Sequence, residues 1–389
     1  MALVFSEVVQ CNFRSTFTMK FKAFTLSICA LIACFSITSS AKELYVSPSG
    51  DDSVSYSENS NSSPWKTIAK GVYSIRAGDT LHIRGGNYAP FKAMRVRSDY
   101  DNQTYDGIIN LSMDAESGTK DQPVLITAYE NETVIIDLIN AETFIHLDNK
   151  SYWSFEDLTF INGGKVFVVG QNNAAEHNSF RNLNITGALG GDNFGAIKLV
   201  NGNSEHTTIE NNVIKGPGHS DQIHQNTSAI YLKSLNNVHI KNNVLSNAPI
   251  GIYYKHRTTE SLAEDIDIQI DGNFIYNTPR SSMELNSNYA TISNNIIGKN
   301  TGDIRLSNAN GSPGGDYNVI DHNTFSGGSL NLSGKTQLGD PIPGAIGNKV
   351  FNNIFSITTD VAKTDKTRNV VDTGIFILVN IIRTNGAIA

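Results

Sequence analysis

From about residue 155 onward one phrase recurs along the chain: an aliphatic residue, a polar one, Asn-Asn or a close variant, then an apolar pair. It appears as Ile209-Glu210-Asn211-Asn212-Val213-Ile214 and Ile240-Lys241-Asn242-Asn243-Val244-Leu245. It returns as Ile270-Asp271-Gly272-Asn273-Phe274-Ile275, Ile292-Ser293-Asn294-Asn295-Ile296-Ile297, Ile320-Asp321-His322-Asn323-Thr324-Phe325 and Val350-Phe351-Asn352-Asn353-Ile354-Phe355. The second asparagines lie 31, 30, 22, 28 and 30 residues apart. So variable a repeat, without the 3.6-residue apolar spacing of helices, predicts coils of short strands carrying loop insertions. Asparagine suits the corner between two strands because it tolerates the left-handed backbone region. Stacked from coil to coil, its side chains can also hydrogen-bond to one another and to backbone. The predicted fold is all-β: a right-handed parallel β-helix in which each coil buries its aliphatic residues against the next.

The ends of the solenoid are read separately. Leu44-Tyr45-Val46-Ser47-Pro48-Ser49-Gly50 predicts a strand that runs into a turn. Pro64 is then expected to open an amphipathic helix with Trp65, Ile68, Val72 and Ile75 on one face, a natural lid for the open apolar end of the coils. Thr80-Leu81-His82-Ile83-Arg84 is expected to begin the coils. The repeat lapses after Phe355, which divides the chain into a leader at 1–41, a β-helix domain at 42–356 and a tail or incomplete final coil at 357–389.

A second strand repeats in each coil, with two apolar residues flanking one outward position. These strands are Ile197-Lys198-Leu199, Ile230-Tyr231-Leu232, Ile252-Tyr253-Tyr254, Met283-Glu284-Leu285, Ile304-Arg305-Leu306 and Leu330-Asn331-Leu332. Period-two alternation sends the middle residue outward and brings a second outward column next to it: Val200, Lys233, Lys255, Asn286, Ser307 and Ser333. Two adjacent Tyr-x-Lys steps therefore sit at the centre of one face. The longest insertions, 216–226 and 256–265, flank the same coils, as the walls of a binding groove do.

The chain has 389 residues and 39% of them are hydrophobic, enough for a large core; 17% are charged, which argues against intrinsic disorder. Its formal charge of −7 disfavours non-specific nucleic-acid binding. Against that background Lys233, Lys255, His256, Arg257, Arg280 and Arg305 form a basic patch suited to an acidic polymer. All three cysteines, Cys11, Cys29 and Cys34, lie in the first 34 residues, so no disulfide or thiolate site is available to the remainder. Residues 19–41 read as a basic segment, an apolar stretch shorter than the ~20 residues of a membrane span, and small residues before a cleavage site. Secretion or periplasmic export from a start at Met19 is expected. Leu31-Ile32-Ala33-Cys34 also fits a lipobox, which would make Cys34 a lipidated N-terminus. Neither a stable membrane span nor a nucleic-acid partner is expected, and the chain is taken as a monomer.

Cleaving a polyuronate by β-elimination requires a base for the proton α to the carboxylate, a proton for the leaving oxygen and a cation for the carboxylate. Lysine can serve as the base when its proton is easily lost, which a second ammonium one coil away and Arg257 would favour. Tyrosine can donate the proton or, once ionised, act as the base. With these residues the chain resembles the secreted parallel β-helix polysaccharide lyases, the group that includes alginate lyases and chondroitinase-B-like enzymes. The resemblance covers residues 42 to about 356. In that group a lysine base and an arginine on the following coil form the catalytic pair, and Lys255 and Arg280 match this arrangement. The resemblance implies Lys255, Tyr253, Arg280, Lys233 and Tyr231 as catalytic candidates. His256, Arg257, Glu284, Asn286, Arg305, Lys198 and His224 are the candidates for substrate binding. Family-six lyases carry calcium-binding glutamates just before the lysine. Here that segment is Pro249-Ile250-Gly251-Ile252-Tyr253-Tyr254, so Ca²⁺ is left open as a cofactor and the metal ligands are unassigned.

The expected activity is cleavage of an acidic polysaccharide, alginate first, by a lyase. Two other classes stay in view: a non-catalytic carbohydrate-binding surface protein, and a glycoside hydrolase with loop carboxylates such as Asp221, Glu264 or Asp265. The Asp-Pro-His-Asp of mannuronan epimerases is absent, as are the Asn-Thr-Asp and Gly-His-Gly of pectin hydrolases and the Arg-x-Pro-x-x-Arg of pectate lyases.

Overall fold

Aliphatic residues at every second position give strands that bury one side only, and this chain stacks them coil upon coil. The computed structural model describes residues 41–88, 94–97, 104–110, 115–138, 143–171, 173–187, 189–200, 204–233, 235–255, 267–306, 315–332, 336–337, 340–341, 346–356, 370–371 and 376–378. Among them three long sheets of 12, 11 and 10 strands run along the molecule. One coil goes from the ten-stranded sheet (Thr227–Lys233) to the twelve-stranded sheet (Val238–Lys241), then to the eleven-stranded sheet (Val244–Ser246) and back at Ile250–Lys255. Strands of successive coils pair in parallel; only Met94–Arg97 meets Thr104–Asn110 antiparallel within these sheets. Parallel crossovers of this kind are right-handed.

The core is a set of columns of side chains. In the twelve-stranded sheet one column passes from Leu44 through Leu81, Phe155, Ile209 and Ile270 to Val350, almost wholly shielded from water. Phe155 and Phe180 stack in it with centroids 5.8 Å apart, and Phe325 stacks on Phe355 at 4.4 Å in the next sheet. Each coil thus supplies the apolar floor for the next.

The two asparagines of the repeated phrase divide their work. The first position takes the left-handed backbone: Asn211, Asn242, Asn294 and Asn352 have φ between 54° and 58°, with Gly272 and His322 in the same place. The second is buried and forms a ladder. From Asn212 to Asn323, backbone N and Nδ2 of each rung donate to Oδ1 of the asparagine one coil on, at 2.9–3.0 Å. Nδ2 also donates to a carbonyl one coil back, as from Asn243 to Ile209 at 2.9 Å. A buried corner is thereby fully satisfied.

Two expectations from sequence are corrected at the N-terminal end of the coils. The helix spans Ile68–Ser74, capped by Thr67, whose side chain accepts from Lys70 N; it does not begin at Pro64. Trp65 lies outside it, bridging in parallel to Val46 and donating Nε1 to Val54 O at 2.8 Å. Ile68, Val72 and Ile75 are nonetheless buried as a lid should be. The helix comes so close to the first two strands that a Cβ at Gly71 would lie 2.7 Å from Leu81 and 2.9 Å from Val46. The first strand, Glu43–Val46, pairs directly with Thr80–Ile83, so the stack starts one strand before the expected Thr80. At the other end Val370–Val371 and Phe376–Leu378 pair onto the strands at 349–351 and 354–356, which carries the pairing past residue 356. The leader, with Met19 and Cys34, lies outside the described residues. Among the described residues no helix is long and apolar enough to cross a membrane.

Candidate active site

The ten-stranded sheet brings the two expected columns into register. Lys198, Tyr231, Tyr253, Glu284, Arg305 and Asn331 face each other across successive strands. Lys233 pairs with Lys255 in the second column, and Asn286 follows with its backbone N on Tyr254 O at 3.1 Å. Strands in one sheet lie about 4.8 Å apart, so both ammonium stems leave the sheet from neighbouring coils.

The tyrosines depart from the sequence expectation in one respect. Both leave the core on the outward side, yet Tyr231 is only 2% and Tyr253 5% exposed. With Val200 and Ile250 they form a small apolar cluster separate from the interior. Their rings meet edge to face with centroids 5.5 Å apart, and Lys198 Nζ stands 5.4 Å from the Tyr231 centroid. Burial, and then the Glu284 carboxylate, push the Tyr253 hydroxyl up to about 12, although Arg280 pulls the other way. Tyr253 is therefore a protonated hydroxyl at neutral pH. Tyr254 points inward and bonds Leu235 O at 3.0 Å, a structural role.

The charged residues join through two turns. Glu284 is buried, with Oε2 3.3 Å from Arg280 Nη2 and 3.5 Å from Arg305 Nη1. Arg280 Nη1 also donates to Asn226 Oδ1 at 2.8 Å and Gln225 O at 3.2 Å. Asn226 Nδ2 donates to Asp192 Oδ1, Asn193 Nδ2 donates to Asp192 Oδ2, and Asn193 Oδ1 accepts from Lys255 Nζ at 3.2 Å. His224 Nδ1 accepts the Asn226 backbone N–H at 3.1 Å. One network thus runs from Arg305 through Glu284, Arg280, Asn226 and Asp192–Asn193 to Lys255. Arg280, Glu284, Arg305, Lys255 and His224 are brought together. His256 and Arg257 lie outside the described residues, as do Ser307, Ser333, Glu264 and Asp265. Asp221 is exposed.

Asp192, Asn193, Gln225 and Asn226 were not among the sequence candidates. A signal for them exists: Gly190-Gly191-Asp192-Asn193 is a turn that opens one strand of the sheet, one coil before the 216–226 insertion opens the next. A further unanticipated residue is His146, in the same outward column two coils before Lys198. It is buried, its Nε2 has no hydrogen-bond partner, and burial followed by Lys165 and Lys198 lowers it to about 4.

Calcium needs several oxygen ligands around one point. Among the described residues no three Asp, Glu, His or Cys side chains gather in that way. Glu284 and Asp192, the carboxylates of the network, are committed to arginine and asparagine.

Residues 44–213 match the family model described as Pel9A-like, right handed beta helix region. Pectate lyase PEL9 of Emericella nidulans is 30% identical over 164 residues, 38% of this chain and 35% of that protein. The chain thus matches about a third of the length of this curated relative. A solved rhamnogalacturonan lyase superposes with a TM-score of 0.59 at 14% identity, covering 85% of this chain and 87% of its own. The crystal structure of pectate lyase Pel9A gives 0.52 at 14% identity, with 86% and 81% covered. At such identities these two structures establish the right-handed parallel β-helix fold.

Proposed function

We propose that this protein is a polysaccharide lyase that cleaves a uronate-containing polymer by β-elimination. The reading is carried by the Lys233–Lys255 register pair, two positions along the sheet from Tyr231 and Tyr253, and by the burial that pushes the Tyr253 hydroxyl up to about 12. Lys255 and Tyr253 are two residues apart on one strand, about 7 Å, so a sugar ring can lie between their functional groups. Lys255 Nζ takes the proton from the carbon α to the carboxylate. The electron pair left behind forms the carbon–carbon double bond as the bond to the 4-linked oxygen breaks. Tyr253 gives its proton to that oxygen and recovers one from the Lys255 ammonium or from water. Lys233 faces the substrate carboxylate, and Arg280, held by Glu284 and Asn226, adds positive charge beside it.

The family-model match and the pectate lyase relative favour a galacturonate-containing polymer over the alginate expected from sequence. Export of the protein and action as a monomer belong to the same proposal. The test is incubation with pectate, rhamnogalacturonan, alginate and glycosaminoglycans while absorbance is followed at ~232–235 nm, where an unsaturated uronate absorbs. The expected outcome is a rise with pectate or rhamnogalacturonan that Lys255→Ala removes and Tyr253→Phe cuts by roughly a hundredfold or more. New reducing ends without the chromophore would instead indicate a hydrolase; binding without either product would indicate a carbohydrate platform.

A further inference from the structure

The eleven-stranded sheet carries a surface that the proposed elimination does not use. Val213, Val244, Phe274 and Ile296 stand in register on four consecutive coils of its outward side. Phe274 is 39%, Tyr276 37% and Ile296 47% exposed, large values for such side chains in a well-packed solenoid. Phe274 and Tyr276 project from the same side of one strand, with ring centroids 4.9 Å apart and planes 25° from parallel. Gly298, one coil on, makes their arrangement possible: a Cβ there would sit 2.8 Å from Tyr276 Cβ and 3.0 Å from Phe274 Cε2. The two rings border a depression of about 500 Å³ rimmed by Asn277, Asn300, Ser326 and Lys299.

The charge of this face narrows the occupant. Among the described outward positions of the sheet from Asn184 to Ser326 there is no carboxylate, whereas Lys215 and Lys299 are exposed. On a chain of net charge −7 that is a local reversal of sign. Flat aromatic faces accept the C–H side of a sugar ring, amides and hydroxyls meet its hydroxyls, and lysines meet carboxylates. A second copy of the chain is the weaker occupant, because a stable dimer buries roughly 20–30 residues a side and these apolar residues are few. We propose that this face is a second carbohydrate-binding surface, on which an acidic polysaccharide chain stacks against Phe274 and Tyr276. It rests on the reading that the protein handles uronate polymers, and adds a site on a different sheet from the Lys233–Lys255 face.

The experiment is depletion of the intact protein onto gelled polygalacturonate and alginate beads, with and without Phe274→Ala/Tyr276→Ala. The double variant should bind about tenfold more weakly, while turnover of soluble short uronate oligosaccharides stays within about twofold. Phe274→Leu/Tyr276→Leu keeps apolar area, loses the ring faces and should weaken binding as well. Unchanged bead binding in both variants overturns the proposal. So does a concentration-dependent dimer in ultracentrifugation that the alanine variant splits, since the face would then belong to a second copy. Bead binding needs no bond cleavage, so ring-dependent binding without any elimination product would sink the lyase reading alone.

Discussion

Single side chains on this solenoid are set by what covers them as much as by the direction in which they point. Alternation in the sequence sends Tyr231 and Tyr253 outward, and they do leave the core. It cannot reveal that Val200, Ile250 and each other's rings enclose them, because those contacts join residues from three different coils. His146 shows the same effect with a thermodynamic consequence. Buried near Lys165 and Lys198, it stays neutral in the folded protein down to about pH 4, while in the unfolded chain it takes a proton near 6.5. Between those values the unfolded state binds more protons, so this contribution to stability is complete above 6.5 and is lost as pH falls toward 4. The loss amounts to about 3 kcal/mol at most. Urea denaturation at pH 7 and pH 4.5 should show a smaller acid-induced drop for His146→Asn than for the natural chain; equal drops would remove His146 from the account.

Among the elements, the asparagine corner was the most legible part of the chain, since its phrase recurs in six coils. What the phrase does not tell is that its two asparagines are unequal. The first supplies backbone conformation, which Gly272 and His322 also provide. The second supplies a side chain whose loss leaves polar groups stranded. Asn243→Ala would remove the acceptor for Asn212 N and Nδ2 and the donor to Ile209 O, all buried. The expected cost is about 3 kcal/mol, read as a lower midpoint in denaturant. Asn242→Gly, one position earlier, should cost well under 1 kcal/mol because the left-handed backbone suits glycine. The helix was harder to place: its apolar spacing is visible, but Trp65 is drawn into a strand-like bridge with Val46, a contact the local pattern does not encode. The network on the ten-stranded sheet was harder still, since Asp192, Asn226, Arg280 and Lys255 meet only once the coils are stacked.

At the scale of the whole molecule, an acidic chain carries a basic patch on its ten-stranded sheet. Lys233, Lys255, Arg280 and Arg305 share the face with Glu284 and Asp192. Attraction of a polyanion to such a face is screened by salt, with a Debye length near 10 Å at about 0.1 M. On the proposed lyase reading, KM for an acidic polymer should rise several-fold between low and moderate NaCl, while kcat changes little; a KM indifferent to salt would mean that this face does not recruit the polymer by charge.

The bonds from asparagine to asparagine all point one way, each rung reaching for the side-chain oxygen supplied by the rung after it. Under tension applied at the C-terminal end, the last oxygen is withdrawn first, and the coils should come away in sequence like stitches from a hem. Each rupture frees the chain between two rungs, so a pulling trace would carry the spacing of the repeat. Most steps would release about 100 Å of chain, and the 22-residue coil between Asn273 and Asn295 would stand out as a short one of about 75 Å.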